Sequence, residues 1–167
     1  MIRPASASDF GAIAAITNHY IATSAIHFGY DPVSADELAA HWREDAERYP
    51  WLVAVEGDAV VGYAKSGAWR TRAAYRWTCE VTVYVARERQ RAGIGRALYV
   101  DLLARLAAAG FHSAIAGITL PNAASVALHV ALGFEAVGVV RDAGWKHERW
   151  HDVAFYQRLL VGAFAGK

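Results

Sequence analysis

The sequence predicts a mixed α/β domain with the element order β-α-α-β-β-β-α-β-α-β-β. Stretches in which apolar residues recur at helical spacing alternate with short runs rich in β-branched and aromatic residues. No repeat, low-complexity segment or linker interrupts this alternation. At 167 residues, the chain is long enough to bury one hydrophobic core. We therefore expect residues 1–167 to form a single domain.

The first half of the chain is expected to contribute a strand, two helices and a β-hairpin. Ser34–Glu37 is a capping-box pattern, which is typical of a helix start. Gly57-Asp58 between two apolar runs is typical of a hairpin turn. The expected elements are a strand over 1–3, a helix capped by Ser8-Asp9 that carries Phe10, Ile13, Ile16 and Tyr20, a helix from Ser34 to about Arg48, and strands over 51–56 and 59–66.

The second half is expected to be organised around the strand Thr78–Val85, which is dense in β-branched and aromatic residues. A glycine-containing loop follows this strand and opens a helix that ends near Gly110. The other expected elements are a strand over 113–118, a short helix between Asn122 and Gly133, and an antiparallel pair over 134–141 and 153–160 with a loop between its strands.

The composition argues against several classes of partner. A net charge of +1 gives no reason to expect nucleic acid or a membrane surface. No apolar run approaches membrane-spanning length, and the N-terminus has no signal-peptide pattern. The single cysteine, Cys79, excludes an internal disulfide, and its position in a predicted strand favours an inert core thiol over a nucleophile. We expect a cytoplasmic protein.

The loop after the central strand predicts an anion site. Its residues 90–95 read Gln-Arg-Ala-Gly-Ile-Gly and lead directly into a helix, whose first N–H groups lack acceptors within the helix. Glycine lets the backbone approach a phosphate closely. The loop is not a P-loop, because no Lys-Ser or Lys-Thr follows, and it does not fit the dinucleotide fingerprint. On these residues alone, a glycine-rich helix start without a ligand is equally compatible.

Five short motifs are spread along the chain, and they are Asn18–Ile21, Tyr49–Ala54, Glu80–Val85, Leu120–Asn122 and Trp150–Val153. Together they resemble the phosphinothricin N-acetyltransferase family, which also includes methionine sulfoximine and methionine sulfone acetyltransferases. The loop 90–95 resembles the Gln/Arg-x-x-Gly-x-Gly/Ala pyrophosphate loop of the wider Gcn5-related N-acetyltransferase (GNAT) superfamily. The resemblance runs from about residue 1 to about residue 160. It implies a GNAT fold, in which a mixed central sheet has a splayed central strand pair and helices on both faces.

The resemblance also implies acetyl-CoA as the co-substrate, no metal, and a homodimer. By the same resemblance, backbone N–H groups around Val83, Tyr84 and Val85 meet the oxyanion, and the thioester lies along this strand. The expected pyrophosphate-binding residues are Gln90, Arg91, Ala92, Gly93, Ile94, Gly95 and Arg96, and the expected pantetheine contacts are Asn122 and Ser125. The residues alone also allow ordinary helix capping by Asn122, and the two roles are compatible.

Two residues are candidates for catalysis. Strand alternation places Glu80 on one face of the central strand with Thr82 and Tyr84, and a carboxylate in mid-strand is costly unless paired or functional. In the family this glutamate is taken as the general base, acting directly or through water. The alternative is a structural carboxylate bonded to Thr82 or to an arginine. His129 stands where many GNAT enzymes carry a general-acid tyrosine, and a structural histidine is the alternative reading of it.

The segment Trp69–Tyr75 is expected to bind the acceptor. Arg70 and Arg72 in an aromatic loop suit a substrate with carboxylate or phosphinate groups, and a solvated basic loop is the alternative. The resemblance adds further acceptor contacts, which are Phe28, Ala73, Ala74, Tyr75 and Thr82. The segment 146–152 is rich in histidine but matches no metal motif.

Two positions depart from the phosphinothricin pattern. Lys65 stands in place of a tyrosine and Thr119 in place of a glycine, and both are expected near the acceptor pocket. Sulfoximine or sulfone analogues are therefore expected to compete well with phosphinothricin.

We conclude from the sequence that the chain is an acetyl-CoA-dependent N-acetyltransferase. Its expected acceptor is the α-amino group of a small amino-acid-like acid, such as phosphinothricin or methionine sulfoximine or sulfone. Three alternatives remain at this point: the same chemistry on another small amine, acetylation of peptides or proteins, and a CoA-binding protein without turnover.

Overall fold

Seven strands form one sheet in the computed structural model, which describes residues 1–160. The strands are β1 (Ile2–Pro4), β2 (Trp51–Glu56), β3 (Ala59–Ala68), β4 (Thr78–Val85), β5 (Ser113–Thr119), β6 (Glu135–Lys146) and β7 (Arg149–Leu159). The order in the sheet is β1-β2-β3-β4-β5-β7-β6. Neighbouring strands are antiparallel, with the exception of the parallel pair β4 and β5.

Helices cover both faces of this sheet. They are α1 (Phe10–Thr23), α2 (Ala35–Asp45), α3 (Ile94–Ala108) and α4 (Ala123–Ala131). On one face α1 and α2 pack against a buried cluster that includes Trp51 and Tyr63. On the other face α3 buries Leu98 and Leu102 completely, and Leu128 of α4 packs against the same cluster. The expected mixed sheet with helices on both faces is confirmed.

The central strands β4 and β5 separate partway along their length. They pair in three rows, from Thr78 opposite Ser113 to Glu80 opposite Ile115. Beyond Glu80 both strands continue without a ladder between them, so a gap opens in the middle of the sheet. The expected splay is confirmed, and Glu80 lies at the point where it begins.

The splay leaves backbone donors of β4 facing the gap. On its other side β4 stays paired with β3 as far as Val85, and the Ala86 N–H donates to the Val61 carbonyl at 2.8 Å. Because N–H directions alternate along a strand, the N–H groups of Val83 and Val85 point away from β3. The gap is therefore lined by main-chain donors that no strand of the described chain pairs.

The C-terminal antiparallel pair differs from the expectation. A loop was expected between residues 141 and 153, but β6 and β7 continue through this segment and meet at a tight turn. The turn residues His147 and Glu148 have φ of 50° and 57°, as a type I′ hairpin requires. The expectation was wrong because neither residue belongs to the Gly and Asn types that usually mark such a turn.

The earlier elements follow the sequence closely. Ser34 accepts the Glu37 N–H, and the Glu37 carboxylate accepts the Ser34 N–H, so the capping box is confirmed. The Cys79 side chain is fully buried, and burial raises the pKa of its thiol to about 12, which fits the inert core thiol. Among residues 1–160, no helix has both the length and the apolar character needed to cross a membrane.

Candidate active site

Glu80 is the half-buried carboxylate at the beginning of the splay. Burial raises the pKa of its carboxyl above the usual range, while the positive charges of Lys65 and Arg70 act in the opposite direction. Within residues 1–160, no ion pair or side-chain hydrogen bond joins this carboxylate to Thr82 or to an arginine. The structural alternative for Glu80 therefore has no bonding partner to support it. A carboxylate with elevated proton affinity facing a cavity is a candidate general base.

A cavity of about 260 Å³ lies beside Glu80 on the face covered by α1 and α2. Its walls come from α2, which includes Asp45, from Tyr49 before β2, from β2 and β3, and from the two β4 residues Glu80 and Thr82. Lys65 of β3 also lines it, as expected for this departure from the family pattern. The volume suits a small amino acid rather than a folded protein surface.

A second, narrower opening of about 50 Å³ follows the gap between β4 and β5. Thr82 lines both this opening and the cavity beside Glu80, so the two spaces meet at the same strand. Thr119 lines this opening and not the cavity. The remaining walls come from both strands, α3 and α4, and they include Val81, Val83, Tyr84, Gly117, Asn122 and Ser125.

The loop from β4 to α3 has the backbone geometry of an anion site. Arg91 and Gly93 have φ of 63° and 77°, and Gly93 is the N-cap of α3. The first intrahelical bond runs from the Ala97 N–H to the Gly93 carbonyl, so the preceding N–H groups of Ile94, Gly95 and Arg96 have no helical acceptor. Arg91 and Arg96 are exposed beside them.

The side chain of Gln90 points to a structural role rather than to the ligand. Its amide nitrogen donates to the Tyr20 hydroxyl at 2.8 Å, and that hydroxyl donates to the Val85 carbonyl at 2.6 Å. Gln90 thus ties the loop to α1 and to the end of β4. Ala92 is exposed at the tip of the loop, and the Cβ position of Gly95 lies 3.6 Å from Val85.

His129 of α4 is buried at the wall of the narrow opening. Its Nδ1 lies 2.7 Å from the Ser125 carbonyl oxygen, which can only accept, so Nδ1 carries the proton. Its Nε2 then accepts the Tyr99 hydroxyl at 3.2 Å. Burial lowers the pKa of His129 below its usual range, and the Ser125 carbonyl opposes this. His129 is therefore a neutral imidazole bonded to Tyr99, a residue that the sequence analysis missed.

Tyr99 is itself a wall residue of the narrow opening. It is 1% exposed, and burial raises the pKa of its hydroxyl far above the usual range, so it remains a hydrogen-bond donor.

Asn122 accepts the Ser125 N–H at 3.2 Å, which confirms its capping role at the start of α4. Both Asn122 and Ser125 also line the opening, so capping and a ligand contact are compatible here.

The expected acceptor loop lies at the rim, outside the cavity. Arg70 and Arg72 are exposed, as are Ala73 and Ala74, and Tyr75 is 42% exposed. Of these residues, Arg70 is the one whose charge lowers the pKa of Glu80. Arg70 is therefore near enough to act on Glu80, whereas the predicted acceptor residues of this loop line neither the cavity nor the narrow opening.

Phe28 packs against the β6–β7 hairpin. Its ring lies so close to Gly144 that a Cβ built there would overlap it, and the His151 ring is 6.3 Å away. The buried Lys146 ammonium donates to the carbonyls of Ile21 and His27, at 2.6 and 2.7 Å. The hairpin therefore clamps the segment that carries Phe28. No local sequence pattern predicts these contacts, because Lys146 lies more than 100 residues from Ile21 and His27.

The histidine-rich segment 146–152 forms the turn of this hairpin. In it the His151 Nε2 bonds to the Lys146 carbonyl at 2.9 Å. Within the described chain, His, Cys, Asp and Glu side chains form no group of three or more that could hold a metal.

Comparison with known sequences places the chain in a family. A family model for the acetyltransferase (GNAT) domain matches residues 2–155. The chain is 50% identical over 161 residues to a phosphinothricin N-acetyltransferase of Streptomyces viridochromogenes, covering 94% of this chain and 86% of that protein. It is 38% identical over 161 residues to an L-methionine sulfoximine/L-methionine sulfone acetyltransferase of Salmonella typhimurium, covering 95% and 94%.

Solved structures agree with the sequence relatives. A phosphinothricin acetyltransferase of Sinorhizobium meliloti in complex with acetyl-CoA superposes with a TM-score of 0.94 at 38% identity, covering 100% of this chain and 91% of that one. An acetyltransferase of Salmonella typhimurium with its cofactor acetyl-CoA gives a TM-score of 0.95 at 36% identity, covering 100% and 97%. The splayed strands, the open N–H groups and the loop into α3 fit acetyl-CoA as co-substrate. The chain belongs to the GNAT acetyltransferase family and is an N-acetyltransferase.

Proposed function

We propose that the enzyme acetylates the α-amino group of a small amino-acid analogue, such as phosphinothricin, methionine sulfoximine or methionine sulfone. Relatives that are 50% and 38% identical to this chain are named for these activities. The observation that carries the proposal is the position of Glu80, which lines a cavity of about 260 Å³ that meets the strand gap at Thr82. A cavity of this size excludes most of a protein substrate, which argues against peptide or protein acetylation.

In the proposed mechanism the acetyl group passes directly from the thioester to the acceptor amine. An alkyl ammonium with a pKa of about 10 is mostly protonated at neutral pH, so it needs a base. Glu80 takes one proton from the amine, directly or through water. The amine nitrogen forms a bond to the acetyl carbon as the carbon–sulfur bond breaks, and the second proton of the nitrogen passes to the departing thiolate, directly or through water. The Val83 N–H, which faces the gap, stabilises negative charge on the carbonyl oxygen.

His129 and Tyr99 serve the leaving group as a pair in this proposal. A neutral imidazole with both nitrogens bonded holds the Tyr99 hydroxyl in the wall of the gap. The Tyr99 O–H can turn from Nε2 to the sulfur and donate a hydrogen bond that stabilises the departing thiolate. A thiol with a pKa of about 8.5 leaves without much help, so this contribution is smaller than that of Glu80.

The coenzyme side is assigned mostly to the backbone. The pyrophosphate is held by the loop 90–93 and by the N–H groups of Ile94, Gly95 and Arg96, with Arg91 and Arg96 adding positive charge. The pantetheine runs along Val83–Val85 and meets Asn122 and Ser125. The acceptor contacts are assigned to Arg70, Arg72, Tyr75 and Phe28, to Ala73 and Ala74 of the same loop, and to Thr82, which lines both the cavity and the strand gap.

The test is an acceptor screen that measures thiol release from acetyl-CoA and the mass of the product. We expect phosphinothricin and both methionine analogues to gain one acetyl group. Efficient acetylation of simple polyamines, with no activity on any amino-acid analogue, would contradict the proposal. Expression in a sensitive bacterium should also raise the phosphinothricin concentration that it tolerates, which is the herbicide-resistance phenotype.

We also propose that the enzyme is a cytoplasmic homodimer built from one domain per chain. β6 is a long edge strand, and Val137, Val139 and Val140 are 61%, 53% and 50% exposed on it. An uncovered apolar edge of this kind is avoided in monomers, and a second copy would bury it. Light scattering should give twice the 18.2 kDa chain mass. Val139→Lys should shift the protein to the monomer, and a wild-type monomer would contradict the proposal.

A further inference from the structure

Lys65 is the one lysine or arginine among the described residues that line the cavity beside Glu80. The side chain is half-buried, and its Nζ lies 4.7 Å from the centroid of the Trp51 ring. Trp51 is 4% exposed and packed on its other sides by the core, so it fixes the direction of the lysine stem. In residues 1–160 no carboxylate forms an ion pair with this ammonium. Burial lowers the pKa of Lys65, and the Glu80 carboxylate opposes this by attracting the ammonium without forming an ion pair with it. The ammonium thus lies in the cavity wall with no carboxylate of the described chain bonded to it.

The register of the sheet separates Lys65 from the amine end of the substrate. Lys65 is opposite Thr82 and Glu80 is opposite Gly67, so Lys65 and Glu80 are diagonal neighbours on one face. Such neighbours lie about 7–8 Å apart, and one small acceptor can contact both. Arg70 is the other cation whose charge reaches Glu80, from the rim. With the amine at Glu80, as in the proposed function, Arg70 is the cation available to the α-carboxylate and Lys65 is the cation available to the distal end of the acceptor.

We propose that Lys65 is a specificity-determining residue that binds an anionic side-chain group of the acceptor. The preferred acceptor class is then amino acids whose side chain ends in an acid group, such as a phosphinate, a phosphonate or a carboxylate. This inference rests on the proposed function and narrows its substrate class. It reverses the sequence-based expectation that sulfone analogues compete well, because that expectation did not weigh the charge of Lys65 inside the cavity.

Two acceptors of nearly equal shape make it possible to measure the effect of the charge on their distal group separately from the effect of its shape. Phosphinothricin and methionine sulfone share the α-amino acid and the two-carbon spacer, and each ends in a methylated tetrahedral group with two oxygens. The phosphinate is negatively charged and the sulfone is neutral. Any effect of Lys65 on the proton affinity of Glu80 acts on the same α-amino group in both acceptors. The ratio of the two KM values therefore reports the contact at the distal end.

The experiment measures KM and kcat for both acceptors with the wild type, Lys65→Met and Lys65→Arg. Methionine retains an unbranched stem over Trp51, and arginine retains the charge. We expect the wild-type KM for phosphinothricin to be about tenfold or more below that for methionine sulfone, as for loss of a charge-assisted bond. Lys65→Met should bring the two values together by raising the phosphinothricin KM, and Lys65→Arg should keep most of the difference.

The outcomes distinguish this inference from the proposed function. Equal wild-type KM values, or a loss in Lys65→Met that is equal for both acceptors, would overturn the role of Lys65 while leaving the acetylation of amino acids intact. Absence of acetylation of either compound by the wild type would instead contradict the proposed function. If Lys65→Met does not fold, the wild-type ratio and Lys65→Arg still decide between these results.

Discussion

The proposed acetyl-CoA site (the donor side of Glu80) and the proposed acceptor site (the acceptor side) use different groups of the protein. On the donor side, the splayed strand and the start of α3 offer main-chain N–H groups whose directions follow from backbone geometry. On the acceptor side, the groups available are side chains: Lys65 in the cavity wall, the exposed Arg70 and Arg72, and Phe28 on a clamped segment. A backbone site tolerates sequence change, whereas a side-chain site changes its specificity with each substitution. The difference explains how one fold keeps its coenzyme while its acceptors vary.

Glu80 joins the two sides, so its loss should give the largest effect. Glu80→Gln keeps the shape of the side chain and removes the base. We expect kcat near neutral pH to fall by roughly 10²–10⁴-fold, with the affinity for acetyl-CoA unchanged. Steady-state kinetics and calorimetry with CoA measure the two quantities. A parallel loss of CoA affinity would show that Glu80 belongs to the donor side instead.

Gly93→Val should weaken the binding of CoA without affecting the acceptor site. Gly93 has φ of 77°, a conformation that a β-branched residue rarely adopts, and its side chain would stand beside the open N–H groups. We expect CoA affinity to fall by about a hundredfold or more, as several charge-assisted bonds are lost. Gly57→Val is the matched control, because Gly57 also has positive φ and open surroundings but lies in the β2–β3 turn. Equal CoA affinity in the two variants would rule out the loop as the pyrophosphate site.

Arg72→Ala should affect the acceptor side alone. If the arginine binds an acid group of the acceptor, the acceptor KM should rise about ten- to a hundredfold and the acetyl-CoA KM should stay nearly unchanged. Arg105→Ala removes an exposed arginine of α3 and provides the control. An acceptor KM that does not move would favour the alternative of a solvated basic loop.

The smallest effect is expected for the hairpin clamp. Lys146→Met removes the donors to the Ile21 and His27 carbonyls, which frees the segment that carries Phe28. We expect the acceptor KM to rise about threefold to tenfold, as when a contact of about 1 kcal/mol between Phe28 and the acceptor is weakened. Gly144→Ala, which displaces the Phe28 ring, should have a similar effect. Lys146 acts as a positioning residue, so kcat at saturating acceptor should change little. A fall in kcat with an unchanged acceptor KM would contradict this role.

The donor side could largely be predicted from the sequence, whereas much of the acceptor side could not. β4 spans Thr78–Val85 as predicted, and the capping box of α2 and the glycine start of α3 also follow from local residue types. The donor side is made of these local features, so its position could be predicted before the structure was known.

The acceptor side required the structure. The turn at His147-Glu148, the clamp by Lys146 and the bond between Tyr99 and His129 join residues distant in sequence or conformations unusual for their residue types. Local patterns carry no information about such contacts. The loop arginines were predicted from residue type alone, and burial then showed that the cation inside the cavity is Lys65.

The central claim is that Glu80 accepts the proton of the acceptor amine, and the pH dependence of turnover tests it most directly. The measurement compares kcat/KM for the acceptor in the wild type and Glu80→Gln between about pH 6 and pH 9, where the amine is mostly protonated. Without the base, the rate should depend on the free amine and rise about tenfold per pH unit. The wild type should be flatter, falling only as pH drops toward the raised pKa of Glu80. The ratio of wild type to variant should therefore be largest at the acid end and shrink as pH rises. A constant ratio, or equal rates throughout, would contradict the account.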